Sequence, residues 1–358
     1  MEYRDCLKKV SPYVPGKSEE EIKELYGLNE VYKLASNENP YGPTQKIKEA
    51  TEKLLYSLYP DNYVTNLRKM LSKKYDLDKD MFLFGNGSVE IIQMLSRIML
   101  NKGDNIITEL PSFSSYFSEA KIQDSQVKTI NFNDKYSFCL SEMISLIDNN
   151  TKMIYITNSN NPLGTIIPKD EMLDFLKLVP NDILVVVDEA YGEFVRDDKF
   201  ESAINYIKEY SNVCVLKTFS KAYGLAALRI GYIVADKSVI NELEKVRVPF
   251  NVSTISQNIA QIALQDEEHM KYTVKQIHDT IDYMYDELEK RGIEYIKTQA
   301  NFIMINTKME SKKVVQELIR RGYIVRDGFP LMDTWIRVSI GTLEQMQGFT
   351  KELCEVIL

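Results

Sequence analysis

Val213-Cys-Val-Leu-Lys-Thr-Phe-Ser-Lys-Ala-Tyr-Gly-Leu-Ala-Ala-Leu-Arg-Ile-Gly-Tyr232 reads as a buried strand, an abrupt turn and the opening of a second strand. The apolar run stops at Thr218-Phe219-Ser220-Lys221, and Arg229 lies eight residues beyond Lys221. A lysine just past a buried strand loses hydration, which disfavours the ammonium and leaves a nucleophilic amine. An arginine nearby suggests an anion beside that amine. Each cation also has an ordinary reading, a surface lysine and a structural ion-pair partner.

Working outward, the stretch is one of a series. Apolar runs suited to buried strands occur at 81–84, 105–110, 126–132, 153–157, 183–187, 213–216 and 230–235. Helical patterns or loops separate them, as at 89–100, 169–178 and 202–210. Strands alternating with helices imply an α/β fold, a mostly parallel seven-stranded sheet with helices on both faces. Upstream, Thr44 could cap a helix running to about Leu58, and a second covers 66–75. Downstream the rhythm changes. A long helical stretch from 253 to 291, broken near Asp266, precedes short strands at 294–298, 302–306, 323–326 and 335–339 and helices at 311–320 and 343–357. We assign residues 36–245 to a large α/β domain, and residues 1–35 with 246–358 to a small α+β domain.

Composition narrows the chemistry. The formal net charge of -8 and the lack of a dense basic run argue against a nucleic-acid surface. No apolar run approaches a membrane span, and Met1-Glu-Tyr-Arg-Asp-Cys-Leu-Lys-Lys9 has charges where a signal peptide needs its apolar core. These features point to a cytoplasmic protein. Cys6, Cys139, Cys214 and Cys354 have no metal-ligand spacing, and no metal site is expected. With only His269 and His278 in the chain, a proton shuttle is sought among lysines and carboxylates.

Several strand ends carry chemistry. Gly85-Asn-Gly87-Ser88 joins a strand to a helix start, where backbone N–H groups and the helix dipole can seat a phosphate. It lacks the third glycine of a dinucleotide fingerprint and the lysine of a P-loop, and alone could be a plain turn. Phe113 follows the next strand, as a core ring or a platform for a planar cofactor. Asn161, in Asn158-Ser-Asn-Asn-Pro-Leu-Gly164, is an ordinary loop residue or a donor to a phenolate oxygen. Asp188 ends the run Ile183-Leu-Val-Val-Val-Asp188. It could cap a helix, bind Mg²⁺, or meet a protonated ring nitrogen that offsets its burial. Ligands of open α/β sheets bind beyond the carboxyl ends of the strands. A stacker, an oxygen donor, a ring-nitrogen acid, a reactive lysine and phosphate donors on one edge together favour a pyridoxal 5'-phosphate site.

On these residues the chain resembles the fold type I pyridoxal-phosphate aminotransferases, closest to the histidinol-phosphate aminotransferase branch. The resemblance runs from Pro12-Tyr-Val-Pro-Gly-Lys17 through Lys33-Leu-Ala-Ser-Asn-Glu-Asn-Pro40 to Trp335-Ile-Arg-Val-Ser-Ile-Gly-Thr342, and Thr218–Tyr232 is its most specific part. It implies that Lys221 joins the cofactor covalently and moves the proton, and that Asp188 partners the pyridine nitrogen. Asn161 and Tyr191 would serve the phenolate oxygen and Phe113 the ring. Gly87, Ser88, Ser220 and Arg229 would hold the phosphate, with Tyr59 donated to the neighbouring subunit of a homodimer. Arg337, Arg326, Tyr13 and Asn37 would contact substrate. The small-molecule amino donor and oxo acceptor would be glutamate with 2-oxoglutarate and histidinol phosphate with imidazole-acetol phosphate. Leu163 stands where the family has threonine, and Ala227 where it commonly has glycine. An aromatic amino acid aminotransferase, a threonine-phosphate decarboxylase and a non-catalytic cofactor-binding regulator share enough of the pattern to remain alternatives.

Overall fold

The computed structural model describes residues 1–12, 16–50 and 57–358. In chain order, the helices are α1 (Glu19–Tyr26), α2 (Thr65–Tyr75), α3 (Ser88–Met99), α4 (Ser114–Ile122), α5 (Leu140–Ser145), α6 (Lys169–Leu178), α7 (Lys237–Val246), α8 (Thr254–Gln265), α9 (Glu267–Lys290), α10 (Ser311–Arg320) and α11 (Leu343–Ile357). The first eight strands are β1 (Tyr32–Lys33), β2 (Phe82–Gly85), β3 (Asn105–Leu110), β4 (Gln126–Asn131), β5 (Thr151–Thr157), β6 (Leu184–Asp188), β7 (Val213–Thr218) and β8 (Gly231–Ala235). Four shorter strands follow, β9 (Tyr295–Ile296), β10 (Phe302–Asn306), β11 (Tyr323–Ile324) and β12 (Trp335–Ser339).

The central sheet has seven strands in the order β2-β8-β7-β6-β5-β3-β4. Only β8 runs against its neighbours, pairing antiparallel with β2 and β7. Side chains of successive strand residues point to opposite faces. One face carries Phe84, Ile107, Ile154, Ile156, Val185, Val187 and Val215 under α2, α6 and α8. The other carries Leu83, Ile106, Met153, Tyr155, Val186 and Leu216 under α3, α4 and α7. Burial on both faces explains why these strands read as continuous apolar runs.

A second core gathers Ile277, Ile281, Met284 and Leu288 of α9 with Phe302 and Ile305 of β10, Val314 and Leu318 of α10, and Phe349 and Leu353 of α11. The antiparallel sheet β12-β10-β9 lies in it. β1 pairs parallel with β11, so the N-terminal segment is tied to this unit. Residues 246–265, assigned from sequence to the small domain, instead put Val252, Ile259, Ala260, Ala263 and Leu264 into the larger core, because α8 packs beside α2.

Local chemistry sets the ends of these elements. The break in the long helical stretch falls on Asp266, whose backbone leaves the helical region at φ -93° and ψ 68°. Its carboxylate accepts from the Thr44 hydroxyl and pairs with Lys46 at 2.9 Å. α8 opens on Ser253, whose side chain accepts from the Ser256 N–H. α11 opens on a reciprocal Thr342–Gln345 capping box. The helix expected over 202–210 is reduced to a 3-10 turn, Ala203–Tyr206, whose opening N–H groups are capped by Glu189 and by the Ser202 hydroxyl. The helix expected after Thr44 begins as a 3-10 turn, Gln45–Ala50, and its continuation lies outside the described residues.

Leu95 is fully buried on α3, far along the helix from the sheet edge that carries the strand-end chemistry. Leu95→Ala should therefore lower unfolding free energy by about 2–5 kcal/mol in urea titration. A change below about 1 kcal/mol would contradict the packing of this helix face.

Candidate active site

Register brings the strand ends level. Thr157 on β5 lies opposite Asp188 on β6, and Asp188 opposite Leu216 on β7. The turns leaving these three strands therefore open on one edge, carrying Asn161, Asp188 with Tyr191, and Ser220 with Lys221.

Asp188 is only 4% exposed. Burial pushes its carboxyl up, and two neutral donors oppose that shift. The Tyr116 hydroxyl donates to Oδ2 at 2.8 Å, and the Ala190 N–H donates to Oδ1 at 3.1 Å. Phe113 is the N-cap of α4, and its ring meets the Tyr116 ring edge-on with centroids 5.6 Å apart.

Lys221 is half-buried, and its Nζ donates to the Ser36 carbonyl at 2.9 Å and sits 5.8 Å from the centre of the Tyr191 ring. Loss of water and then the positive charge of Arg337 bring its pKa down to about 8, Arg229 adding to the effect while Glu38 and Asp188 oppose it. Tyr191 is buried, and the Asn37 amide donates to its hydroxyl at 2.9 Å. Asn37, at φ +55°, is clasped by Ser339, whose hydroxyl accepts from its N–H at 2.8 Å and donates to its Oδ1 at 2.9 Å.

Arg337 reaches into the same edge from β12. One guanidinium nitrogen donates to Asn161 Oδ1 and the other to the Ala35 carbonyl at 2.8 Å. Its guanidinium lies 5.2 Å from the Phe302 ring centre and 5.4 Å from that of Phe329. Arg326 is joined to Arg337 backbone to backbone through an antiparallel bridge.

An anion cradle lies beside these groups. Arg229 has left-handed backbone at φ +51°, and its Nη1 donates to the Ala226 carbonyl at 3.0 Å and to Ser220 Oγ at 3.4 Å. Gly87 has φ +79°, and a Cβ there would come within 2.4 Å of Arg229 Nη2. Any side chain at 87 would thus push the guanidinium away from the first turn of α3, which opens at Ser88. A Cβ at Gly231 would likewise strike the Ser88 nitrogen at 2.7 Å. Backbone N–H groups of a helix start beside a guanidinium and a hydroxyl suit a phosphate.

One expected residue stands apart. Tyr59 is 82% exposed and stacks on Phe250 at 4.8 Å, outside the group just described. Tyr13 lies outside the described residues. Leu163 points its side chain into an apolar cluster with Ile296, Met304, Met332 and Trp335, so the replacement of a hydroxyl residue there adds packing between the two units. Ala227 is exposed in the 3-10 turn Ala226–Leu228.

Sequence reasoning missed Tyr116, Ser339 and Glu109. Glu109 is fully buried, and its Oε1 accepts from Thr157 N, Asn160 Nδ2 and Ser112 Oγ at 3.1, 3.2 and 3.0 Å. It thereby ties the turn before Phe113 to the turn before Asn161. A signal existed for each. Tyr116 is three residues past Phe113 on one helix, Ser339 two past Arg337 on one strand, and Glu109 is an acid inside an apolar run.

Residues 29–356 match the family model of class I and II aminotransferases. The chain belongs to that family. It is 40% identical over 358 residues to a histidinol-phosphate aminotransferase of Caldicellulosiruptor saccharolyticus, covering 99% of this chain and 100% of the other. It is 40% identical over 360 residues to a histidinol-phosphate aminotransferase of Bacillus subtilis strain 168, with both chains fully covered. In fold it matches the crystal structure of histidinol-phosphate aminotransferase from Sinorhizobium meliloti in complex with pyridoxal-5'-phosphate at a TM-score of 0.90. That match has 22% identity and covers 99% of this chain and 97% of that one. Among the described residues no helix is long and apolar enough to cross a membrane, and no group of three or more His, Cys, Asp or Glu could hold a metal ion.

The site geometry sets Lys221 apart from surface lysines such as Lys313. In cofactor-free protein its acylation, mapped by mass spectrometry against pH, should reach half its limiting rate near pH 8, where the amine becomes uncharged. Lys313, whose ammonium is held above the ordinary value by Glu310, serves as the internal contrast. If both lysines follow one alkaline titration, the depressed state of Lys221 is refuted.

Proposed function

We propose that this chain is a pyridoxal-phosphate-dependent histidinol-phosphate aminotransferase of histidine biosynthesis, interconverting histidinol phosphate and 2-oxoglutarate with imidazole-acetol phosphate and glutamate. Forty per cent identity over the whole of both chains to relatives of that name carries the reading. The bound cofactor supplies an aldehyde that accepts the amino group and a protonated ring that draws electrons from the substrate Cα. Every other task falls to residues of this protein, through side chains and backbone N–H groups.

Lys221 would hold the cofactor covalently, and its Nζ, once free, would be the base that moves the Cα proton. A depressed pKa suits it to that exchange near neutrality. Asp188 holds the proton on the ring nitrogen. Asn161 and Tyr191 bind the phenolate oxygen, and Phe113 covers the ring. Gly87, Ser88, Ser220 and Arg229 bind the phosphate. Arg337 grips the substrate anion with a forked guanidinium, and Arg326, Asn37 and Tyr13 complete the substrate contacts.

The exposure of Tyr59 supports a homodimer in which its hydroxyl completes the partner's phosphate seat. Both substrates are small molecules, and the work is placed in the cytoplasm.

Lys221→Ala should abolish turnover while retaining cofactor held by the phosphate contacts. Borohydride reduction of the parent enzyme should fix the cofactor on the Lys221 peptide, and an adduct on another lysine refutes the assignment. Substrate identity is tested by a transamination panel with 2-oxoglutarate as acceptor. Histidinol phosphate should exceed phenylalanine by about 100-fold in kcat/KM, as expected where a buried anion grip is left unused by the wrong substrate. A reversed preference would establish the aromatic amino acid reading, and carbon dioxide release from threonine phosphate the decarboxylase reading.

A further inference from the structure

The hydroxyl that meets Asp188 belongs to a side chain with little freedom. Tyr116 is 1% exposed. Its ring lies flat on Tyr155, with centroids 4.3 Å apart and planes 13° from parallel, and Phe113 closes its edge at 84°. The Tyr116 hydroxyl is 2.8 Å from Asp188 Oδ2 and 3.3 Å from Thr157 Oγ1. Thr157 is held in turn by Glu109, which accepts its N–H. Burial and the Asp188 charge push the Tyr116 phenol well above its ordinary pKa, so it remains a donor at any working pH.

We propose that Tyr116 is a positioning residue for the reaction, whose hydroxyl keeps the Asp188 carboxylate charged and fixed in one orientation toward the cofactor's ring nitrogen. This rests on the assignment of Asp188 made above. A carboxylate removed from water tends to take up a proton, and a neutral acid cannot offset a protonated ring. Lys217 on β7 and Lys221 beyond it add favourable charge to the ionised form of Asp188. The other titratable groups facing it are Tyr155 on β5 and Tyr191 after β6, with Glu109 on β3 one hydrogen bond further off through Thr157. Tyr116 is the side chain among them whose hydrogen bond to the carboxylate is direct.

Tyr116→Phe keeps the stacked ring and removes only the hydroxyl. Cofactor-free variant titrated with pyridoxal phosphate should bind about tenfold more weakly, the loss expected for a hydrogen bond to a charged group. Its kcat should fall by a similar factor while KM for the amino donor stays within about twofold, because the hydroxyl acts on the ring and not on the substrate anion. Removing the donor lets Asp188 take up a proton at higher pH, so the acid limb of the kcat profile should move upward. Cofactor affinity and pH profile equal to the parent's would overturn the proposal. So would a lowered melting temperature of the cofactor-free protein with no upward move of the acid limb, which marks a packing defect. Asp188→Asn run beside it separates the two levels. If that variant is severely impaired and Tyr116→Phe is silent, only the role of Tyr116 fails; if Asp188→Asn is itself silent, the assignment beneath it fails.

Discussion

The shared level of β5, β6 and β7 at their carboxyl ends is the constraint on which the site depends. Parallel strands in register must leave the sheet together, and here Thr157, Asp188 and Leu216 stand side by side. Turns that would otherwise be scattered along 60 or so residues of sequence then face one another. Antiparallel β8 closes the arrangement from the other side. It places Gly231 against the Ser88 nitrogen, so that Arg229 and the start of α3 meet. Moving any one strand by a residue would turn its side chains to the opposite face and dissolve the group.

Charge is the second organising principle. Burial, then the charge of Arg337 and that of Arg229, depresses the Lys221 ammonium. Such an electropositive edge is stable only because neighbouring acceptors and Asp188 offset it, and it favours anionic ligands. A different buried cation stabilises the turn behind Asp188. Lys217, 6% exposed, pairs with Glu193 at 2.8 Å and lies 3.7 Å from Glu189. A Cβ on Gly192 would come 2.9 Å from its Nζ, so the turn carrying Tyr191 closes directly over this pair. Removing one member of such a group leaves buried charge uncompensated, which ties the shape of the turn to its ion pairs.

The sheet and its edge were legible because their signals are local. Runs buried on both faces announce strands without reference to anything distant, and Asp188 and Lys221 follow such runs directly. Partners supplied by another element were legible only as residues on a favourable face, and the contacts they make were not. Nothing in the neighbourhood of Asp188 shows that a tyrosine from α4 will reach it, and nothing near Asn37 indicates Ser339, 302 residues away. The turn Ala203–Tyr206, which stands in place of the helix expected over 202–210, also takes the cap on its first N–H from Glu189, at the end of another element. Likewise α8 follows α7 in the pattern of a new unit, and only its packing beside α2 seats it on the larger core.

Those long-range partners decide how the two units work as one. Arg337 and Ser339 belong to β12 of the smaller unit, yet their hydrogen bonds run to Asn161 and to Asn37, which in turn meets Tyr191. Leu163, three residues into the same turn as Asn160, is anchored among Met304, Met332 and Trp335. Asn161 is therefore gripped by Arg337 on its side chain and by the Leu163 cluster through its backbone. Any displacement of β12 relative to the central sheet must move Arg337 and the side chain of Asn161 together. In this chain the leucine that departs from the family pattern lies on that seam. It couples the strand that carries Arg337 to the turn that carries Asn161 by apolar packing, without adding a polar group beside them.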